Sequence, residues 1–299
     1  MELATKTDAA PADDIAETVA PSVDAPPEYR AEEARYMTGA NEPVTSSVLI
    51  SNSTYLNDPY YRDVFSQFAL RRHGHDLPET YLIPNMVRAI NEVKDMGEFV
   101  RLFEEEKVRK PDFAAWLDAR RYTVYDPAEM RHYKDGTLGA IIRDFIDKSG
   151  MEMQFMMKGE EPRNDIEYSV KRRVASHDIE HMVTGFGPHE LGESALAIMN
   201  TTSNYGYFTP ALAKHMSEHT MFVQATGYYR VSLHYPDLMP YELDAMRQGI
   251  AAGQGLKKPL FMVDWEDYLD WQADDICTDL GFVRGPGDGW AWSLDASVG

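Results

Sequence analysis

Only one cysteine, Cys277, occurs in 299 residues, which excludes an internal disulfide and any cysteine-rich zinc ribbon. A chain without disulfides suits a reducing cytoplasm. No apolar run approaches the roughly 18 residues that a membrane-spanning helix needs, so none is expected. Positive charge is scarce as well: 29 Lys and Arg stand against 49 Asp and Glu, a formal net charge of −20. A surface this acidic repels phosphate backbones, so nucleic acid is not an expected partner, and broad docking on anionic lipid is disfavoured. Capture of an apolar ligand stays open. Alternating β-branched runs between turn signals are also few. Long amphipathic stretches dominate instead, so we expect an all-α chain built as one multi-helix domain.

The N-terminal residues 1–45 have few large apolar side chains. Stretches such as Ala10-Pro11-Ala12-Asp13-Asp14 predict a disordered acidic tail that cannot offset its ordering entropy. With no basic flank or apolar core there, no signal peptide is expected. Residues 46–283 carry the helical pattern, and Gly285-Pro286-Gly287-Asp288-Gly289-Trp290 opens a Gly/Trp-containing tail, 284–299.

Helix starts are well marked. Asp58-Pro59, Pro84, Pro111, Thr137, Thr209-Pro210 and Pro240 each stand before or at the head of an apolar repeat. Aromatic residues at helical spacing, among them Phe65, Phe68, Phe113 and Trp116, fit core packing better than a ligand tunnel. Met151, Met153, Met156 and Met157 form a dense group that suits either core filling or a lipid-facing lip. Asp264 and Asp267 flank the entry of a last helix expected to run through Trp265, Ile276 and Leu280.

Chemistry concentrates in His177-Asp178-Ile179-Glu180-His181, followed after eleven residues by Glu193. A helix from Asp165 to about Thr184 brings His177 and His181 within about 40° of one another. Ile166, Val170 and Val174 lead into them at four-residue spacing, which predicts a buried stripe. Gly185-Phe186-Gly187-Pro188 ends that helix, and a tight turn into an antiparallel partner lets Glu193 face back. Imidazole and carboxylate donors suit zinc, iron or cobalt, so His177, Asp178, His181 and Glu193 are candidate ligands and catalytic residues around a divalent metal. The pentapeptide also fits His-x-x-Glu-His, in which Glu180 would be the base of a zinc peptidase.

Several other polar residues are weaker candidates. Arg172 and Arg173 can reach a substrate carboxylate, although a solvent-facing position is the plainer expectation. His215 and His219 lie four apart and could hold a second metal. His189 could join the first site. His73-Gly74-His75 reads as loop, and Cys277 as a small core residue.

His177-Asp178-x-x-His181 with Glu193 resembles the signature of the Coq family of ubiquinone-biosynthesis proteins, fourth member, in a bacterial form. Lys134-Asp135-Gly136-Thr137-Leu138-Gly139 through Asp144-Phe145 is similar to the family's segment before the site. Met246-Arg247-Gln248-Gly249 and Lys258-Pro259-Leu260-Phe261 through Asp264-Trp265-Glu266 resemble its closing segment. The likeness spans roughly residues 60–283. It implies a mainly helical fold and a divalent metal on His177, Asp178, His181 and Glu193. The implied activity is a metal-dependent lyase: removal of the C1 carboxylate from a polyprenylated 4-hydroxybenzoate-derived precursor, with hydroxyl replacing it in an oxidative version. It further implies prenyl-lipid binding, contact with other ubiquinone-biosynthesis enzymes and peripheral association with the inner membrane, and it leaves a homodimer open. A non-catalytic scaffold that binds metal and prenyl lipid is the alternative within that pathway.

Overall fold

The computed structural model describes residues 53–72, 82–150, 153, 157 and 159–298. The expected N-terminal tail, the His73-Gly74-His75 loop, and Met151 and Met156 lie outside them. Twelve α-helices and no strand occur among the described residues, an all-α fold. In chain order they are α1 (Thr54–Asn57), α2 (Pro59–Leu70), α3 (Ile83–Val93), α4 (Met96–Arg109), α5 (Pro111–Ala119), α6 (Leu138–Ser149), α7 (Asp165–Thr184), α8 (Glu190–Tyr207), α9 (Pro210–His234), α10 (Met239–Gly255), α11 (Ala273–Leu280) and α12 (Trp292–Val298).

Local chemistry explains most boundaries. Asp58 accepts from the Tyr61 amide at 2.6 Å ahead of Pro59, and Asp95 accepts from Glu98 at 2.8 Å. Thr137 accepts from the Ala140 amide and Asn164 from Glu167 at 2.9 Å, so each start has a side-chain oxygen on an otherwise unpaired amide. Gly97 lies inside the first turn of α4.

Among the described residues, the three largest of four apolar clusters organise the packing. One joins α6, α7, α8, α10 and α11 through Leu138, Ile142, Ile179, Val183, Leu196 and Ile276, and it includes the fully buried Trp265. A second gathers Phe103, Phe113, Trp116, Tyr168, Phe208 and Phe261 between α4, α5, α7 and α9. A third sets Val64, Phe68 and Ile90 of α2 and α3 against Phe222 of α9. The aromatic repeats are therefore core. Met153 also belongs to the core, 5% exposed.

Three expectations need correction. The last helix is interrupted: 3-10 turns at Leu260–Met262 and Trp265–Tyr268 precede α11, because Leu269 and Trp271 carbonyls bond Gly139 and Leu138 amides at 2.8 and 2.9 Å instead of continuing a helix. The C-terminal residues are no loose tail. A 3-10 turn at Gly287–Trp290 leads into α12, and Trp290 is buried against Phe186.

The third correction concerns which faces are buried. Val170 on α7 is 47% exposed, as are Leu243 (53%) and Ile250 (38%) on α10. The buried side of α7 carries Tyr168, Arg172, Ala175, Ser176, Ile179 and Glu180, and that of α10 carries Glu242, Ala245, Gly249 and Ala252. On α7 the interior polar side chains find protein partners, Arg172 on Glu266 and Glu180 on Ser176 and Asn200, although Arg172 Nε keeps none. On α10 small residues win because α8 lies so close: a Cβ added to Gly249 would sit 2.2 Å from the Ala195 carbonyl oxygen.

Candidate metal centre

Helix α7 ends at Gly185, whose φ of +69° takes the left-handed conformation that favours glycine. The chain then turns through Phe186, Gly187 and Pro188 to His189, the N-cap of α8, whose Nδ1 accepts from the Gly192 amide at 3.1 Å. The turn sets the start of α8 against the end of α7: His181 meets Glu193, and Glu180 meets Asn200.

Three ligand atoms converge at the mouth of this pair. His177, His181 and Glu193 offer donors within 4.8 Å of one another. The two Nε2 atoms are 3.3 Å apart. Glu193 Oε1 stands 3.2 Å from His181 Nε2, and its Oε2 stands 3.7 Å from His177 Nε2. His181 is nearly enclosed, 5% exposed, while His177 and Glu193 are 48% and 44% exposed, so the cluster opens to solvent on one side.

Electrostatics fit this placement. Burial alone would depress the His181 imidazole, yet the Glu193 charge and hydrogen bond, the Phe186 carbonyl and Glu180 together raise it to about 9. Burial opposes ionisation of Glu193 too, but His181 and His177 hold its carboxyl well below the usual range. His181 lies in the last turn of α7 and Glu193 in the first turn of α8. The helix dipoles favour a cation at the one end and an anion at the other.

Two imidazole Nε2 lone pairs facing at 3.3 Å repel unless something positive lies between them. A proton on one ring would do this, and a divalent cation would do it with three donors at once. His181 Nδ1 donates to the Phe186 carbonyl at 2.5 Å, which leaves Nε2 as the donor toward a metal. Two imidazoles and one carboxylate are also the donor set of open non-haem iron sites. The residues therefore fit a divalent metal.

Asp178 is half-buried beside His177, and its carboxylate is not among the three converging groups. Glu180 points elsewhere. It is 2% exposed, with Oε1 accepting from Ser176 at 2.7 Å and Oε2 from Asn200 at 2.9 Å. Both oxygens of the supposed peptidase base are thus engaged.

The arginines are not solvent-facing. Arg172, 4% exposed, pairs with Glu266 through two nitrogens at 2.9 and 3.0 Å and donates to the Val263 carbonyl at 2.8 Å. Arg173 donates to the Met216 carbonyl, and burial lowers its pKa against the opposing charge of Glu180. Neither presents a free guanidinium to a substrate at the metal cluster.

The other histidines stand apart. His215 faces Glu218 with Nδ1 at 3.0 Å and Glu98 with Nε2 at 3.3 Å, so its nitrogens meet different carboxylates. His219 is held neutral, down at about 4, by burial and by the Arg173 and Lys94 charges. Among the described residues no second cluster of metal donors forms. His189 serves as the cap described above. Cys277 is buried and donates to the Val183 carbonyl at 3.2 Å.

The segments flanking the site are joined to it. Thr137 bridges Gln272, and Glu266 fixes Arg172 one turn before His177. The Arg172–Glu266 pair escaped sequence reasoning because 94 residues separate its members. No helix among the described residues is long and apolar enough to cross a membrane.

No protein-family model matches the chain, and no curated protein matches it. Among solved structures it is similar to a crystal structure from Nostoc punctiforme PCC 73102, of a protein provisionally assigned to ubiquinone biosynthesis. The identity is 19%, the TM-score 0.56, and the match covers 74% of this chain and 95% of that one. At that identity the likeness is one of fold.

Proposed function

We propose that the chain is a metal-dependent enzyme of ubiquinone biosynthesis. It removes the C1 carboxylate of a polyprenylated 4-hydroxybenzoate-derived precursor, with hydroxyl taking its place in the oxidative version. The observation that carries this reading is the two-histidine, one-glutamate cluster whose donors converge within 4.8 Å while His177 and Glu193 stay half exposed. The fold of the Nostoc punctiforme protein and its provisional assignment support the pathway.

His177, His181 and Glu193 would hold the cation, zinc, iron or cobalt, with Asp178 as the fourth ligand in this reading. When bound, the metal supplies Lewis acidity toward a ring carboxylate or phenolate and, if iron, redox capacity. The chain does the rest. The Phe186 carbonyl holds the His181 ring in one orientation. Val170, Val174 and His177 follow one another on one helical face, and Val170 is exposed, so an apolar chain laid along α7 brings its polar head to His177. Arg172 keeps α7 fixed to the Val263–Glu266 segment rather than binding substrate. Peripheral contact with the inner membrane and with other enzymes of the pathway belongs to the same proposal, as does a homodimer.

Purified protein loaded with iron, cobalt or zinc, with and without oxygen, and given a prenylated 4-hydroxybenzoate derivative should release carbon dioxide with at least one metal. His181→Ala should abolish that release. Binding of the prenyl lipid with no release under any condition would favour the scaffold instead. Glu180→Gln should leave turnover in place, whereas a peptidase would lose it.

A further inference from the structure

The last four carbonyls of an α-helix have no partner within it. In α7 these carbonyls hold the turn that joins two proposed ligands to the third. The His181 carbonyl takes the Gly185 amide at 3.2 Å. The next ones are met from the far end of the chain. Arg284 donates Nη2 to the Met182 carbonyl and Nε to that of Val183, each at 3.1 Å. The Gly285 amide donates to Thr184 at 2.7 Å, and the Gly287 amide to Gly185 at 2.9 Å.

The same segment grips the next residue. The Trp290 ring stacks on Phe186, centroids 6.1 Å apart and planes 11° from parallel. Gly285 lies so close that an added Cβ would fall 2.4 Å from the Phe186 ring. The Phe186 carbonyl in turn accepts from His181 Nδ1. Beyond the turn, Ser293, fully buried, places Oγ 3.3 Å from Nδ1 of His189, the N-cap of the helix that carries Glu193.

We propose that residues 284–293 are a positioning element of the metal centre: they cap α7 from outside and lock Phe186 so that its carbonyl aims the His181 Nε2 at the metal. Arg284 and Trp290 are its positioning residues. Neither hydrogen-bonds to or stacks on the three ligands. The inference rests on the metal-binding reading of His177, His181 and Glu193. Groups that orient a ligating histidine typically change metal affinity by about 10- to 100-fold when removed.

The test compares full-length wild type, Trp290→Ala, Trp290→Phe and Arg284→Gln. Zinc affinity is read by chelator competition. The His181 Nδ1 proton is read by NMR in the metal-free protein, where a buried bond to a carbonyl slows its exchange. Trp290→Ala should weaken zinc by about 10-fold or more and speed exchange of that proton, while Trp290→Phe, which keeps a stacked ring, restores both. Arg284→Gln should move both readouts in the same direction. Its side chain is 37% exposed, so it opens no core cavity and serves if Trp290→Ala does not fold. Wild-type affinity and slow exchange in folded Arg284→Gln or Trp290→Ala would overturn the proposal. If wild type itself binds no zinc, the metal reading falls, and the imidazole proton alone decides whether the segment holds His181.

Discussion

Glu242 gives the sharpest stability test. It lies on the buried face of α10, 1% exposed, where Oε1 accepts from Ser194 and lies 3.5 Å from Gln224 Nε2, while Oε2 has no hydrogen-bond partner. Burial raises its pKa, with Glu190 adding to the rise and the Ser194 bond, Gln224 and Arg230 opposing it, to about 7 from the ordinary 4.5. The folded protein therefore keeps a proton here that the unfolded chain gives up near its ordinary value. Stability from this group is fully present below about pH 4.5 and is lost as pH rises through about 7. The rise from 4.5 to about 7 corresponds, at about 1.4 kcal/mol per pH unit, to about 3.5 kcal/mol over the full titration. Glu242→Gln removes the titration and keeps the shape. In urea unfolding between pH 5 and 8, wild type should lose about 2.5 kcal/mol relative to the variant. Parallel stability profiles for the two proteins would refute the argument.

Glu193→Gln should reduce zinc or cobalt affinity by more than the roughly 10- to 100-fold typical of residues one shell out, as measured by chelator competition. Arg172→Ala strands Glu266 in a site where its carboxylate is only 11% exposed; a loss of about 3–5 kcal/mol is expected in urea unfolding, and adding Glu266→Ala should recover part of it. Gly249→Ala forces a methyl against the Ala195 carbonyl and should cost about 1–3 kcal/mol in thermal melts. Gly206→Ala, at an open position in α8 with nothing within 4 Å, should stabilise by roughly 0.4–1 kcal/mol.

Where the chain signalled structure through local chemistry, it was readable. Asp58-Pro59 started a helix, Thr137 capped one, and α7 runs from Asp165 to Thr184 because Asn164 and Gly185 close its two ends. The convergence of His177, His181 and Glu193 was readable for the same reason: two helical positions four apart, then a Gly-rich turn. Burial was not readable this way. Val170 and Val174 looked like a core stripe, but α7 turned Arg172, Ser176 and Glu180 inward. Each polar group had a partner that no spacing rule could supply: Glu266 lies 94 residues away, and Asn200 lies on the next helix. On α10 the apolar repeat of Leu243 and Ile250 likewise faces out, because close contact with α8 admits glycine and alanine and excludes larger side chains.

By itself the sequence determined the helical class, the ends of the site's helices and three of the four donors named for the site, His177, His181 and Glu193, since these depend on residues a few positions apart; Asp178 stays outside the converging group. Tertiary structure decided what surrounds those donors. It tied both oxygens of Glu180 and the guanidinium of Arg172 into the interior, away from the metal cluster. It also brought Arg284 and Trp290, about a hundred residues beyond His181, onto the end of α7. Unpaired carbonyls at a buried helix end must find donors, and only the folded chain shows that the C-terminal segment provides them.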